Sequence, residues 1–240
     1  VWQTDIGNAY LEAYTNEKVY VIAGPEFGEL EGHIFVIRKA LYGLKTSSIR
    51  WHERFSGVLR NMKFVPSHAE PDIWMRDMGD HYEYIATYVD DLTIASRNPQ
   101  AIIDILEGEP NNFKLKGTGE IDVLLGCNYF RDGNGRLCYS PKNYLKKMKD
   151  QYKLLFGTSH KFETNPLVEN DHPELDESEF LNEEETRIYQ SLIGCTQWVV
   201  QLGRFDIAVH VMTLSSFRAQ PRRGHLERIK KVIGYLSKMN

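Results

Sequence analysis

With 240 residues, 42% of them hydrophobic and 26% charged, the chain can bury a substantial core and has the composition of an ordinary globular protein. No apolar run is long enough to cross a bilayer, and the first residues carry no basic-then-apolar leader. The three cysteines, an odd number without metal-ligand spacing, read as reduced thiols.

The opening stretch is β-compatible to about Tyr10, and within it Asp5 precedes the small residues Gly7 and Ala9. Lys18 to Ala23 predicts a strand closed by Gly24-Pro25, a loop runs to Gly32, and His33 to Lys39 is strand-like. Ser47 or Ser48 is placed to cap a helix carrying Trp51, Phe55, Val58, Leu59 and Met62 on one face. Tyr82 to Tyr88 and Leu92 to Ala95 read as paired strands, so Asp90 and Asp91 sit at the tip of a hairpin. Asn98 followed by Pro99 opens a helix that turns Ile102, Ile103 and Leu106 inward.

Farther on, Ile121 to Arg131 and Arg136 to Tyr139 flank Asp132-Gly133-Asn134-Gly135, a hairpin turn. A helix after Ser140-Pro141 has Tyr144, Leu145 and Met148 on one face and Lys142, Lys146, Lys147, Lys149 and Lys153 elsewhere. The net charge of −4 is unevenly spread, with nine acidic residues and no Lys or Arg between Leu167 and Glu185. That stretch reads as an exposed linker or loop, and the rest of the chain carries a basic excess that can track a phosphate backbone, although lysines on an amphipathic helix, taken alone, are more often its wet face. Helical patterns over 184–202, 206–217 and 224–238 complete the chain, and a strand-rich first half with a helical second half predicts an α+β fold.

Two adjacent carboxylates in a turn repel each other unless a cation neutralises them, and Mg²⁺ held by carboxylates and phosphates is the common case. Asp5 is remote in sequence, so any shared site is built by the fold. Because neighbouring strand residues face opposite sides, Asp90 is expected to face Asp5 across adjacent strands, with Asp91 more peripheral. Taken alone, an Asp-Asp pair is more often ordinary turn chemistry, and an aromatic such as Tyr10 is more often core.

The order of motifs changes that weighting. Gln3-Thr4-Asp5-Ile6-Gly7-Asn8-Ala9-Tyr10-Leu11, Lys39-Ala40-Leu41-Tyr42-Gly43-Leu44-Lys45 and Tyr88-Val89-Asp90-Asp91 come first. Phe113-Lys114-Leu115-Lys116, Leu124-Leu125-Gly126 and Arg204-Phe205-Asp206-Ile207-Ala208 follow. In this order they resemble the reverse transcriptase of copia-type LTR retrotransposons nearly end to end.

The resemblance implies a polymerase palm, an antiparallel sheet packed on helices over residues 1–120 with a short strand and loop insertion. It implies a primer-grip hairpin at 121–140, a helical thumb at 141–217 containing the acidic loop 167–185, and a helix at 218–240 leading towards a ribonuclease H domain. Fingers would be largely missing and the chain would be a segment of a Pol polyprotein. The implied activity is RNA-directed DNA polymerisation by two-metal nucleotidyl transfer from a dNTP to a primer 3′-hydroxyl.

The resemblance makes Asp5, Asp90 and Asp91 the catalytic residues and ligands of two Mg²⁺ ions, with Mn²⁺ as a substitute and the Ile6 backbone as a further contact. Nucleotide contacts fall to Gly7, Ala9, Tyr42, Gly43, Lys114 and Lys116, and to Tyr10 as a gate against the 2′-hydroxyl. Either lysine matches a proton donor to pyrophosphate. Primer and template contacts fall to Lys45, Tyr88, Leu125, Gly126, Lys146 and Lys147. Partners would be an RNA or DNA template with primer, dNTPs, and the fingers, integrase and ribonuclease H of the polyprotein, with no membrane. The implied location is intracellular, in cytoplasmic virus-like particles and the nucleus. One departure bears on template positioning: Thr46-Ser47-Ser48 stands where the family has Gln-Ala-Pro. Two other readings remain open, a decayed element acting only as a nucleic-acid-binding module and another palm-based nucleotidyl transferase such as a cyclase.

Overall fold

A computed structural model of the chain describes residues 1–168 and 170–239. They fall into two compact units, Val1–Ile121 and Asp122–Asn240. Both combine antiparallel strands with helices, an α+β arrangement. Among the described residues no helix is long and apolar enough to cross a membrane.

The first unit is built on strands β1 (Trp2–Ile6), β2 (Tyr20–Ile22), β3 (Ile34–Val36), β4 (Val65–Pro66), β5 (Ile73–Asp77), β6 (Tyr82–Tyr88), β7 (Asp91–Ala95) and β8 (Leu115–Glu120). Helix α1 (Ser47–Asn61) follows β3, and α2 (Pro99–Glu107) lies between β7 and β8. Six strands form one sheet in the order β4-β5-β6-β7-β1-β8, while β2 and β3 pair separately. Alternation sets the layers. Thr4 and Ile6 of β1 and Leu92 and Ile94 of β7 turn inward, where Trp51, Phe55, Val58 and Leu59 of α1 and Ile102, Ile103 and Leu106 of α2 complete the core. The partner residues of each inward pair, Asp5 and Asp91, are thereby sent to the other face.

Two local expectations need correction. The first strand ends at Ile6, not near Tyr10, because Gly7 is followed by Asn8 at φ 58°, a left-handed residue that starts a 3₁₀ turn over Ala9–Glu12. Neither serine caps α1. Thr46 holds the cap position, but its hydroxyl donates to the Glu17 carboxylate and makes no capping bond, and the Ser47 hydroxyl donates to the Leu41 carbonyl at 2.6 Å, closing the loop ahead of the helix. Asn98 does cap α2, accepting from the Ala101 amide at 3.4 Å.

In the second unit β9 (Val123–Leu124), β10 (Cys127–Arg131) and β11 (Leu137–Ser140) form a three-stranded sheet in the order β11-β10-β9. The Asp132 carboxylate accepts from the Asn134 and Arg136 amides at 2.9 and 2.8 Å and so fixes the turn between β10 and β11. Helices α3 (Lys142–Phe156), α4 (Glu183–Gln201), α5 (Ala208–Ser215) and α6 (Arg223–Lys238) bury Leu145, Tyr189, Ile193, Val211, Ile229 and Ile233 in one cluster.

The acidic stretch is not a free linker. Pro173 is buried, and Arg228 of α6 makes a two-pronged bond to Asp171, with Nε and Nη2 each 2.8 Å from a carboxylate oxygen, while its Nη1 bonds Asp176. His225, only 3% exposed, accepts the Arg222 amide at its Nδ1 and faces the Pro173 carbonyl with Nε2. Glu169, part of the acidic run, lies outside the described residues.

Candidate active site

Register decides which carboxylates meet. Asp5 on β1 is the direct antiparallel partner of Asp91 on β7 and, across its other edge, of Lys116 on β8. Direct partners share a face, so Asp91, Asp5 and Lys116 form one row across three strands. The expectation that Asp90 faces Asp5 is therefore corrected: Asp91 does. Asp90 occupies the two-residue turn, outside the alternation, and its carbonyl accepts the Ile6 amide at 2.8 Å.

The three charges act on one another. Burial pushes the Asp91 carboxyl up, and the neighbouring charges of Asp90 and Asp5 push it further the same way. Like charges placed directly across two strands oppose folding. Among the described residues no three His, Cys, Asp or Glu side chains form a ready metal cage. The set is nonetheless oxygen-only and rich in negative charge, which fits a hard divalent cation.

Aromatic side chains lie within the field of these carboxylates. Gly7 is buried, and a Cβ there would meet Lys116 Cε at 3.1 Å and the Lys114 carbonyl at 3.2 Å, so any side chain at this position would press on β8. The Gly7 amide donates to that carbonyl at 2.8 Å. Ala9 is fully buried, and the 3₁₀ turn presents a half-buried Tyr10 whose ring lies 4.5 Å from that of Tyr42. Tyr42 is 63% exposed, yet partial burial and then the charges of Asp90, Tyr10 and Asp5 raise its phenol, which places it in the field of the carboxylates. Gly43 sits at φ 97° with open space where a Cβ would be, so its conformation, not crowding within the protein, calls for glycine.

The two lysines of the resemblance separate. Lys116 shares the row of Asp5 and its chain lies against Gly7. Lys114 is exposed and contributes its carbonyl. Tyr88 and Lys45 are exposed. The remaining predicted contacts lie in the second unit. Leu125 and Gly126 turn at φ 48° and 85°, and Gly126, Lys146 and Lys147 line a shallow cavity of about 390 Å³ there with Tyr144 and Asp150.

Sequence reasoning found the hairpin but missed the strained conformation of its first turn residue and the bond that holds it. Val89 has φ 57° at the first position of a two-residue hairpin loop, the pattern of a type II′ turn in which glycine is usual. A β-branched residue there is a true outlier. The indole of Trp51 donates to the Val89 carbonyl at 2.6 Å, so a residue read as packing alone also bonds the hairpin. A valine between Tyr88 and the acidic pair was the available signal.

The model of the family described as reverse transcriptase (RNA-dependent DNA polymerase) matches residues 1–166. A Ty5-1 transposon protein of Saccharomyces cerevisiae is 29% identical over 97% of this chain and 74% of its own length. The retrovirus-related Pol polyproteins from transposon RE1 of Arabidopsis thaliana and transposon TNT 1-94 of Nicotiana tabacum are 26% and 24% identical over 98% of the chain. The chain spans only 16% and 18% of those two polyproteins. No solved structure matches. Sharing a family model over most of its length and transposon relatives over nearly all of it, the chain belongs to the reverse transcriptase (RNA-dependent DNA polymerase) family of retrotransposons.

Proposed function

We propose that the first unit is a polymerase palm that joins a dNTP to a primer 3′-end on an RNA or DNA template, and that the second carries the primer grip and a helical thumb. The observation carrying this reading is the convergence of Asp5, Asp90 and Asp91 from two remote segments onto paired strand ends. In the reaction the primer 3′-oxygen bonds the α-phosphorus, the bond to pyrophosphate breaks, and the hydroxyl proton leaves. Asp5, Asp90 and Asp91, with the Ile6 backbone, would hold two Mg²⁺ or Mn²⁺ ions. When bound, such ions supply Lewis-acid stabilisation of the attacking and leaving oxygens.

The remaining roles belong to the chain's own groups. Tyr10, braced by Tyr42, is shaped to pack beneath the incoming sugar and crowd a 2′-hydroxyl. The tight backbone at Gly7 and Ala9 and the turn at Gly43 let the nucleotide approach the main chain. Lys116 is better placed than Lys114 to give a proton to departing pyrophosphate, because it shares the row of Asp5. Lys45 and Tyr88 stand exposed for template and primer, and Gly126, Lys146 and Lys147 line one surface suited to a phosphate backbone. On this reading the partners are the other segments of a Pol polyprotein, and the reaction runs in cytoplasmic particles or the nucleus.

Primer extension on an RNA template, with the chain carried within its polyprotein, tests the reading. Asp90→Asn should lower incorporation on the order of 10³-fold or more while leaving primer–template affinity in place. Undiminished extension by that variant defeats the assignment.

A further inference from the structure

Among the described residues, two bonds from outside its own strands hold the turn that carries Asp90. The Ile6 amide bonds the Asp90 carbonyl at 2.8 Å, and the Trp51 indole bonds the Val89 carbonyl at 2.6 Å. Directly before the Val89 carbonyl the backbone is strained, because Val89 adopts φ 57°, which its branched side chain disfavours. Tyr10, Trp51, Trp74 and Val89 share the wall of a cavity of about 190 Å³ on the helix side of the turn. Trp51 itself is only 3% exposed and is locked by rings at both sides, stacked on Phe55 at 5.2 Å and edge-on to Phe113 at 5.8 Å.

We infer that Trp51 is a positioning residue for the polymerase reaction, its indole N–H holding the strained Val89 turn so that Asp90 and Asp91 are presented together beside Asp5. Helix α1 begins directly after the Tyr42-Gly43 loop, so one rigid element ties the nucleotide loop to the aspartate hairpin. The inference rests on the reading of those aspartates as the reacting site. It goes beyond that reading in naming what sets their place.

The strain gives a test that separates positioning from packing. Trp51→Phe keeps a buried ring but removes the donor, and benzothienylalanine at 51 keeps the bicyclic shape without the N–H if phenylalanine does not fold. Val89→Gly removes the strain, since glycine takes this φ freely. Two readouts serve on the full chain: the amide resonances of Asp90 and Asp91, and affinity for Mn²⁺ alone, measured by titration. Loss of the donor should shift both resonances and weaken Mn²⁺ binding on the order of three- to tenfold, the range of one hydrogen bond. In the Val89→Gly background the same loss should have less than about half that effect on the logarithmic scale. Unmoved resonances and unchanged Mn²⁺ affinity on removing the donor overturn the inference, as does an equal loss in both backgrounds. Should the wild-type chain take up no Mn²⁺, the metal reading fails on its own, and the resonances alone decide the role of Trp51.

Discussion

Asp171 and Asp176 in the second unit and Asp5, Asp90 and Asp91 in the first are all withdrawn from full solvent exposure, but their charges are settled in opposite ways. Arg228 holds the Asp171 carboxyl below the usual carboxylate range, and at Asp176 burial is outweighed by Ser178 and Arg228, which bring it down to about 2. At Asp91 burial, Asp90 and Asp5 all act in the same upward direction. One cluster is finished within the chain and stabilises it. The other is left in need of something from outside, which is how a binding site differs from a clasp.

Breaking the clasp should give the largest effect. Arg228→Ala leaves two partly buried carboxylates without their guanidinium, and loss of one partner of a buried pair costs about 3 kcal/mol. Denaturant unfolding should show that loss, and hydrogen exchange should show it concentrated in residues 170–178. A loss below 1 kcal/mol would mean that the acidic loop is held by Pro173 and His225 instead.

Acid should act on the two clusters with opposite sign. Asp176 has its pKa lowered on folding, so its stabilisation is present above the unfolded value of 3.8 and disappears as pH falls towards about 2. That amounts to about 2 kcal/mol. Asp91 has a raised pKa, so it opposes folding at neutral pH, and the opposition lifts as pH falls through its folded value towards 3.8. Unit-resolved hydrogen exchange between pH 7 and 3 should therefore show the Asp91 hairpin tightening before the 170–178 segment loosens. Both segments loosening together would end the contrast.

A smaller effect isolates the site charge. Asp91→Asn removes one of two like charges standing directly opposite each other, and should raise metal-free stability by about 0.5 to 1 kcal/mol. The same change should abolish any stabilisation by Mg²⁺, read as the shift of the melting temperature with added salt of that ion. A variant that loses stability instead would show that the Asp91 carboxylate is already compensated.

Much of this contrast was hidden in the sequence for identifiable reasons. The Asp90–Asp91 hairpin, the Asn98 cap, the turn at Asp132 and the lysine-bearing helix α3 are local patterns, and each is where the residues point. The facing of Asp5 and Asp91 is not local. It depends on a two-residue loop that ends β6 at Tyr88 and starts β7 at Asp91, one position away from the register that would pair Asp90. Strand β5 was missed because Arg76 interrupts its apolar pattern, and only the fold supplies Glu83 to neutralise it. The acidic loop looked solvated for the same reason, since Arg228 lies 57 and 52 residues from its partners.

The clasp also bears on the lysines of α3. The loop acids Asp171 and Asp176 are committed to Arg228, while Lys146 and Lys147 line a separate surface with Gly126 and Asp150. If that surface follows a nucleic-acid backbone, replacing both lysines by alanine removes two phosphate contacts. Each contact contributes about 0.9 to the slope of log affinity against log salt on duplex DNA, so the slope should become shallower by roughly 1.8. Folding stability should hardly change, because both side chains are exposed. An unaltered slope would place the duplex on another face of the second unit, and would leave Lys146 and Lys147 as the solvated side of an amphipathic helix.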